Sequence, residues 1–138
     1  MYWTEVGYQP AIQTALMEGR NLSTLVQNKL KWPIGLALDA PAKRLYWCDS
    51  KLRLVESVSL DGRDRHVVRQ FADSDMPTKI ALHENFLYVT VQSGKLYRLN
   101  KFGQGPLTVL AHGLRRPVGL AVYQQQQQYV LKGKVTLV

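Results

Sequence analysis

Cysteine is nearly absent from this chain: Cys48 stands alone among 138 residues. One thiol cannot close an internal disulfide, so packing has to hold the fold together. Its setting in Tyr46-Trp47-Cys48-Asp49 suits a packed strand residue, with a reactive or intermolecular thiol as the alternative. Long apolar runs are missing too. None approaches the roughly 18 residues that a membrane-spanning helix needs. The chain does not open on a charged stretch followed by an apolar core, so no signal peptide is expected within it. No window of ten or more residues places apolar side chains at i, i+3, i+4 and i+7, which removes support for helical architectures. Acidic residues are scarce, 10 against 18 Lys and Arg, for a net charge of +8. Such a surplus suits acidic partners, for example carboxylate-rich protein modules or sulfated glycans. The basic residues Lys29, Lys31, Arg63, Arg65, Arg115 and Arg116 are dispersed near turns. No nucleic-acid fold signature accompanies them, so nucleic acid is not an expected partner.

Catalytic patterns are also wanting. There is no Gly-x-Ser-x-Gly, no His-Glu-x-x-His, no cysteine pair and no calcium loop of EF-hand type. Asp73-Ser74-Asp75 is an isolated acidic pair in a loop. His66, His83 and His112 read as surface or turn residues. The chain is therefore expected to be no enzyme and to hold no metal and no cofactor.

What the chain does have is a repeat. Tyr2-Trp3-Thr4-Glu5 returns 44 residues later as Tyr46-Trp47-Cys48-Asp49, and 42 further on, worn down, as Tyr88-Val89-Thr90-Val91. Pro33-Ile34-Gly35-Leu36-Ala37-Leu38-Asp39 matches Pro77-Thr78-Lys79-Ile80-Ala81-Leu82-His83 and Pro117-Val118-Gly119-Leu120-Ala121-Val122-Tyr123 in the same register. A turn glycine closes each copy, at Gly19, Gly62 and Gly103. A period of this size belongs to propeller blades or helical solenoids, and the missing helical pattern leaves the blade.

The most complete unit reads as four short strands. Residues 34–39 are apolar and follow a proline, as an inner strand after a bend would. Residues 44–49 are aromatic-rich, and residues 52–60 alternate in polarity. Asp61-Gly62 signals a hairpin, because glycine accepts the positive φ that tight turns need. Residues 65–69 form the fourth strand. Small antiparallel sheets repeated in this way stack radially. Further strands are expected near 78–82, 86–91, 95–99, 107–110 and 118–122. Tyr46 and Trp47 should be buried between sheets.

From Met1 to about Tyr123 the unit resembles the YWTD, or class B, repeat of the low-density lipoprotein receptor family, most closely in its receptor-related members. The resemblance rests on Tyr2-Trp3-Thr4-Glu5, Tyr46-Trp47-Cys48-Asp49, the Pro-x-Gly-Leu-Ala segments and Leu60-Asp61-Gly62. It implies an all-β fold, a YWTD-type β-propeller with a ring of six four-stranded antiparallel blades, of which this chain holds about three. The parts are an incomplete blade at 2–27, blades at 33–70 and 77–111, and the first strand of another at 117–122. Residues 124–138 read as a Gln-rich linker and tail, the tail being either an added strand or unstructured. The remaining blades are expected to be missing, so that the open ends associate with other chains. The structural motif set is Tyr2, Trp3, Glu5, Gly35, Tyr46, Trp47, Asp49, Gly62, Tyr88 and Gly119. An acid at the Asp49 position is implied to tie down backbone N–H groups and lock one blade to the next; Glu5 could do so in part and Val91 cannot.

The resemblance further implies a non-catalytic protein-binding or structural module in the extracellular part of an endocytic or signalling receptor. The parent protein would be membrane-anchored, with protein ligands or neighbouring receptor modules as partners. Register places possible ligand contacts beside the inner strands, at Trp32, Arg53, Lys79, Arg115 and Arg116. Asn21-Leu22-Ser23 is an N-glycosylation sequon on a turn, with Asn21 as acceptor. Two other readings stay open: a structural propeller piece of a secreted matrix protein, and a propeller hydrolase.

Overall fold

The computed structural model describes residues 1–115, 120–125 and 132–137, with side chains described as far as Leu120. The first sheet holds β1 (Tyr2–Glu5), β2 (Ala11–Thr14) and β3 (Ser23–Val26). The second holds β4 (Pro33–Asp39), β5 (Arg44–Asp49), β6 (Leu54–Ser59) and β7 (His66–Gln70). The third holds β8 (Pro77–His83), β9 (Phe86–Val91), β10 (Leu96–Asn100) and β11 (Thr108–Ala111). The fourth pairs β12 (Leu120–Gln125) with β13 (Lys132–Leu137). Every pairing is antiparallel and joins consecutive strands. Successive sheets stack, with β4 against β1 and β8, and β8 against β12. This is an all-β array of antiparallel sheets, as the repeat predicts.

Two details differ from the sequence expectation. The alternating run at 52–60 starts as a strand only at Leu54, because Arg53 takes a left-handed φ of 57°. That conformation cannot continue an extended chain. At the other end, β12 runs on through Gln124 and Gln125, into the stretch read from the sequence as a linker, and a further strand runs over Lys132–Leu137; the rest of 126–138 lies outside the described residues. Arg116 and Gly119, with the Pro117-Val118 between them, lie outside the described residues.

Strand alternation distributes β5 between two cores. Leu45 and Trp47 point to the first sheet and pack with Ile12, Val26, Leu30 and Val58. Tyr46 and Cys48 point to the third sheet, among Val55, Ile80, Leu87, Val89 and Tyr97. Trp47 and Cys48 are fully buried and Tyr46 is 1 % exposed. A sheet covered on both faces cannot show a clean polar side, which is why β5 is buried from Leu45 to Asp49. Gly35 sets how closely the inner strands approach. A Cβ there would sit 2.9 Å from Cys48 Sγ and 3.2 Å from Ile80 Cγ2, inside contact distance. Gly62 turns the β6–β7 hairpin at φ 85°, donating its N–H to Ser59 O at 2.8 Å.

The antiparallel order gives each sheet two rims. One carries the connectors at residues 27–32 and 71–76 together with the β1–β2, β5–β6 and β9–β10 turns; we call it the connector rim. The other carries the β4–β5 and β8–β9 turns with the β2–β3, β6–β7 and β10–β11 turns, and is the hairpin rim.

Candidate functional site

Asp49 closes β5 at the connector rim. Its carboxylate accepts backbone N–H groups from Lys31 at 2.7 Å, Trp32 at 3.1 Å and Leu52 at 2.9 Å. Two of these donors lie in the connector arriving from the first sheet and one in the β5–β6 turn. The Ser50 N–H donates to Trp32 O at 3.0 Å beside them. A fully buried carboxylate needs its lone pairs filled, and here the backbone fills them. The result is a joint that fixes where β4 starts relative to the first sheet. It also presents Trp32, 46 % exposed, with Lys51 Nζ 5.1 Å from its ring centre.

Glu5 occupies the corresponding place on β1 and does not act this way. It is exposed, and the bond its carboxylate makes is with Trp3 Nε1, at 3.4 Å. The reason is geometric: β1 is the edge of a three-stranded sheet, so no inner strand and incoming connector stand beside Glu5. Val91 has no acid to offer, yet the third sheet keeps the joint. Gln92 N–H donates to Met76 O at 2.8 Å, the counterpart of Ser50 and Trp32. The acid has moved to the connector as Asp75, 4 % exposed. It accepts from Tyr97 OH at 2.5 Å, Ser93 Oγ at 2.8 Å and Lys95 Nζ at 3.3 Å. Burial pushes the Asp75 carboxyl up, but the hydrogen bonds from Tyr97, Ser93 and Lys95 outweigh it and hold the group below its usual range. Sequence reasoning missed this pair of compensating changes. Register could have found it, since Asp75 precedes Pro77 by the same two residues as Lys31 precedes Pro33.

Asp73 and Asp75 therefore part company: Asp73 is exposed and pairs with Arg53 NH2 at 3.0 Å. Other ties cross between sheets. Lys101 Nζ, from the β10–β11 turn, reaches the buried Asp39 at 2.6 Å. Arg65 pairs with Glu56 at 2.8 Å, lies 5.2 Å over the Trp47 ring, and donates to Asn28 O and Lys29 O in the connector.

Of the expected contact residues, Trp32, Arg53 and Arg115 sit at the connector rim. Lys79, in the register place of Gly35, is half-buried near the start of β8. Arg53 is committed to Asp73, whereas Trp32 and Arg115 are exposed. Arg116 falls outside the described residues. Of the motif residues, Tyr2, Trp3 and Tyr88 are half-buried. Asn21 lies on the hairpin rim, exposed, at φ 57°.

The rims differ in charge. On the hairpin rim, Arg20, Arg44, Arg63 and Lys101 each pair with an acid. On the connector rim, Lys31, Lys51 and Arg115 are exposed, and no ion pair engages them among the described residues. Three acids at that rim are engaged, Asp49 by backbone N–H groups, Asp73 by Arg53 and Asp75 by Lys95, and the exposed Glu5 accepts from Trp3. No three His, Cys, Asp or Glu side chains come together to hold a metal among the described residues. Burial pushes the Cys48 thiol up to about 12, which removes it as a nucleophile near neutral pH.

Known proteins share this arrangement. The family described as low-density lipoprotein receptor repeat class B matches residues 1–40. A vitellogenin receptor of Solenopsis invicta is 36 % identical over 118 residues, covering 85 % of this chain and 7 % of the receptor. A low-density lipoprotein receptor-related protein 5-like protein of Homo sapiens is 39 % identical over 67 residues, 49 % of this chain and 27 % of that protein. The chain thus spans only a small part of the relatives it matches. A crystal structure of a nidogen/laminin complex contains a chain that superposes with TM-score 0.78 at 29 % identity, over 86 % of this chain and 46 % of that one. A luciferin-regenerating enzyme, at TM-score 0.61 and 17 % identity, shares the fold alone. With the repeated strand motif, the buried joints and these likenesses together, the chain belongs to the class B, or YWTD, repeat propellers of the low-density lipoprotein receptor family.

Proposed function

We propose that this chain is a non-catalytic protein-binding module from the extracellular part of a lipoprotein-receptor-related endocytic or signalling receptor, and that it meets its partner at the connector rim. The charge difference between the rims carries this reading. The hairpin rim pairs Arg20, Arg44, Arg63 and Lys101 with acids and leaves Lys43 exposed, while the connector rim leaves Lys31, Lys51 and Arg115 exposed and outside any ion pair among the described residues, with Lys31 and Lys51 beside the exposed Trp32. An exposed aromatic on a rim with free cations suits a protein surface rich in carboxylates, since indole contributes desolvation and the cations contribute steering. Lys79 and Arg53 complete the described part of the proposed surface, and Arg116 is proposed as a further contact from its sequence register alone. The parent protein is read as a cell-surface receptor, and no nucleic acid, metal or cofactor enters the reading.

The first ligand to test is vitellogenin, named in the Solenopsis invicta relative. Immobilised chain should retain it. Reversal of charge at Lys31, Lys51 and Arg115 together should weaken retention at least tenfold, and reversal at Lys43 on the hairpin rim should not. Equal loss from both rims would refute the placement. The nidogen/laminin likeness supports a second reading, a structural propeller of a matrix protein. Retention of laminin with none of vitellogenin would favour it.

A further inference from the structure

We propose that Asn21 carries an N-linked glycan that covers the hairpin rim of the first sheet and leaves the connector rim open. The proposal rests on the receptor reading for its compartment, and on the local structure for its position. The chain has four asparagines, and only Asn21 begins an Asn-x-Ser/Thr triplet, Asn21-Leu22-Ser23. Asn21 sits at the end of the β2–β3 turn in the left-handed region, where asparagine is favoured over most residues. Its neighbours Gly19, Arg20, Leu22 and Ser23 are all exposed. No hydrogen bond engages its amide among the described residues, so Nδ2 is available and points into no core.

A second observation bears on what the sugar would do. The same turn exposes three large apolar side chains, Leu16 at 47 %, Met17 at 81 % and Leu22 at 65 %. Exposed apolar side chains grouped on one turn are surface that a cover or partner shields, and a glycan rooted among these residues supplies the cover. The opposite rim, with Trp32 and its cations, contains no acceptor asparagine in a sequon, so its access is preserved.

The chemistry is a group transfer. Asn21 Nδ2 attacks the anomeric carbon of an oligosaccharide carried on a lipid diphosphate. The new N–C bond forms as the C–O bond to the diphosphate breaks. One amide proton is lost and the lipid diphosphate leaves, with no change of oxidation state. Ser23 supplies the hydroxyl that the transferring enzyme reads.

The test is translation of the full chain, behind a cleavable secretory leader, in the presence of microsomes. The translocated, protease-protected chain should migrate more slowly, and endoglycosidase should abolish the shift. Asn21→Gln and Ser23→Ala should each remove it, and Ser23→Thr should keep it. A protease-protected chain with unshifted mobility, or a shift that survives Asn21→Gln, overturns the site. Removing the sugar from folded, secreted chain should increase binding of a hydrophobic dye, and unchanged dye binding overturns the covering role. Ligand retention by Asn21→Gln chain tests the receptor reading separately, because the contacts proposed for it lie on the other rim.

Discussion

Replacing Asp49 by alanine removes the acceptor for three backbone N–H groups at once. Each hydrogen bond to a charged partner is worth about 1.5–3 kcal/mol, and each buried donor left unsatisfied costs about 1–3 kcal/mol. The three do not add fully, because Lys31 and Trp32 are exposed residues and water can reach their amides once the connector loosens. A net loss of roughly 3–5 kcal/mol follows, at the level measured for breaking buried ionic contacts. Asp49→Asn should cost less, roughly 1–3 kcal/mol, since one oxygen still accepts while the amide sets an N–H against an N–H. Urea unfolding of the full chain, followed by tryptophan fluorescence, measures both. Hydrogen exchange should show faster exchange at Lys31, Trp32 and Leu52 before the strands respond. The control is Glu5→Ala, at the same motif position but exposed and without the joint, which should fall within about 0.5 kcal/mol of the parent chain. If Asp49→Ala destabilised no more than Glu5→Ala, the joint would not be what holds the connector, and the motif acid would have no structural account.

Trp47→Ala should cost about 3–5 kcal/mol by emptying the core between the first and second sheets, read from the same urea curves; a cost under about 1 kcal/mol would contradict its full burial. Asp75 has its pKa lowered in the folded state, so its contribution is present above the unfolded value near 3.9 and fades as pH falls through the folded value. The stability gap between the parent chain and Asp75→Asn, about 1–3 kcal/mol near neutrality, should therefore close in acid below about pH 4, checked by thermal melts across pH. Cys48, buried and with its thiol pushed up to about 12, should resist a thiol-specific reagent at neutral pH and react fully in denaturant; rapid labelling of folded chain would refute the packing of β5 against β8.

Most of the fold was legible because the repeat supplies its own alignment. Pro33, Tyr46 and Gly62 locate three elements of a blade, and the same landmarks recur in the next one. The burial of Tyr46 and Trp47 followed from that pattern alone. Arg53 was misread as strand because polarity alternation reports which face a residue uses and says nothing about a left-handed φ. The site was less legible. Asp49 announced its role through the motif, but its register mate Glu5 lacks the neighbouring strand that would give it one. Asp75 and its partners Ser93, Lys95 and Tyr97 are far apart in sequence, and their convergence comes from the turn geometry of β9–β10. The rim charge difference was invisible in a net charge of +8, because it depends on which cations find acids.

The buried acid stands on the strand in the second sheet, as Asp49, and on the connector in the third, as Asp75, and this bears on how units of such an array are recognised. Either side of the joint can carry a buried acid: Asp49 on the strand gathers backbone N–H groups, and Asp75 on the connector gathers side-chain donors. The third sheet shows the second arrangement: its strand reads Tyr88-Val89-Thr90-Val91, and its joint is intact. Counting blades by the strand motif alone therefore passes over the third sheet of this chain. A census that also scores an acid two residues before the inner-strand proline would recover units that the motif alone passes over.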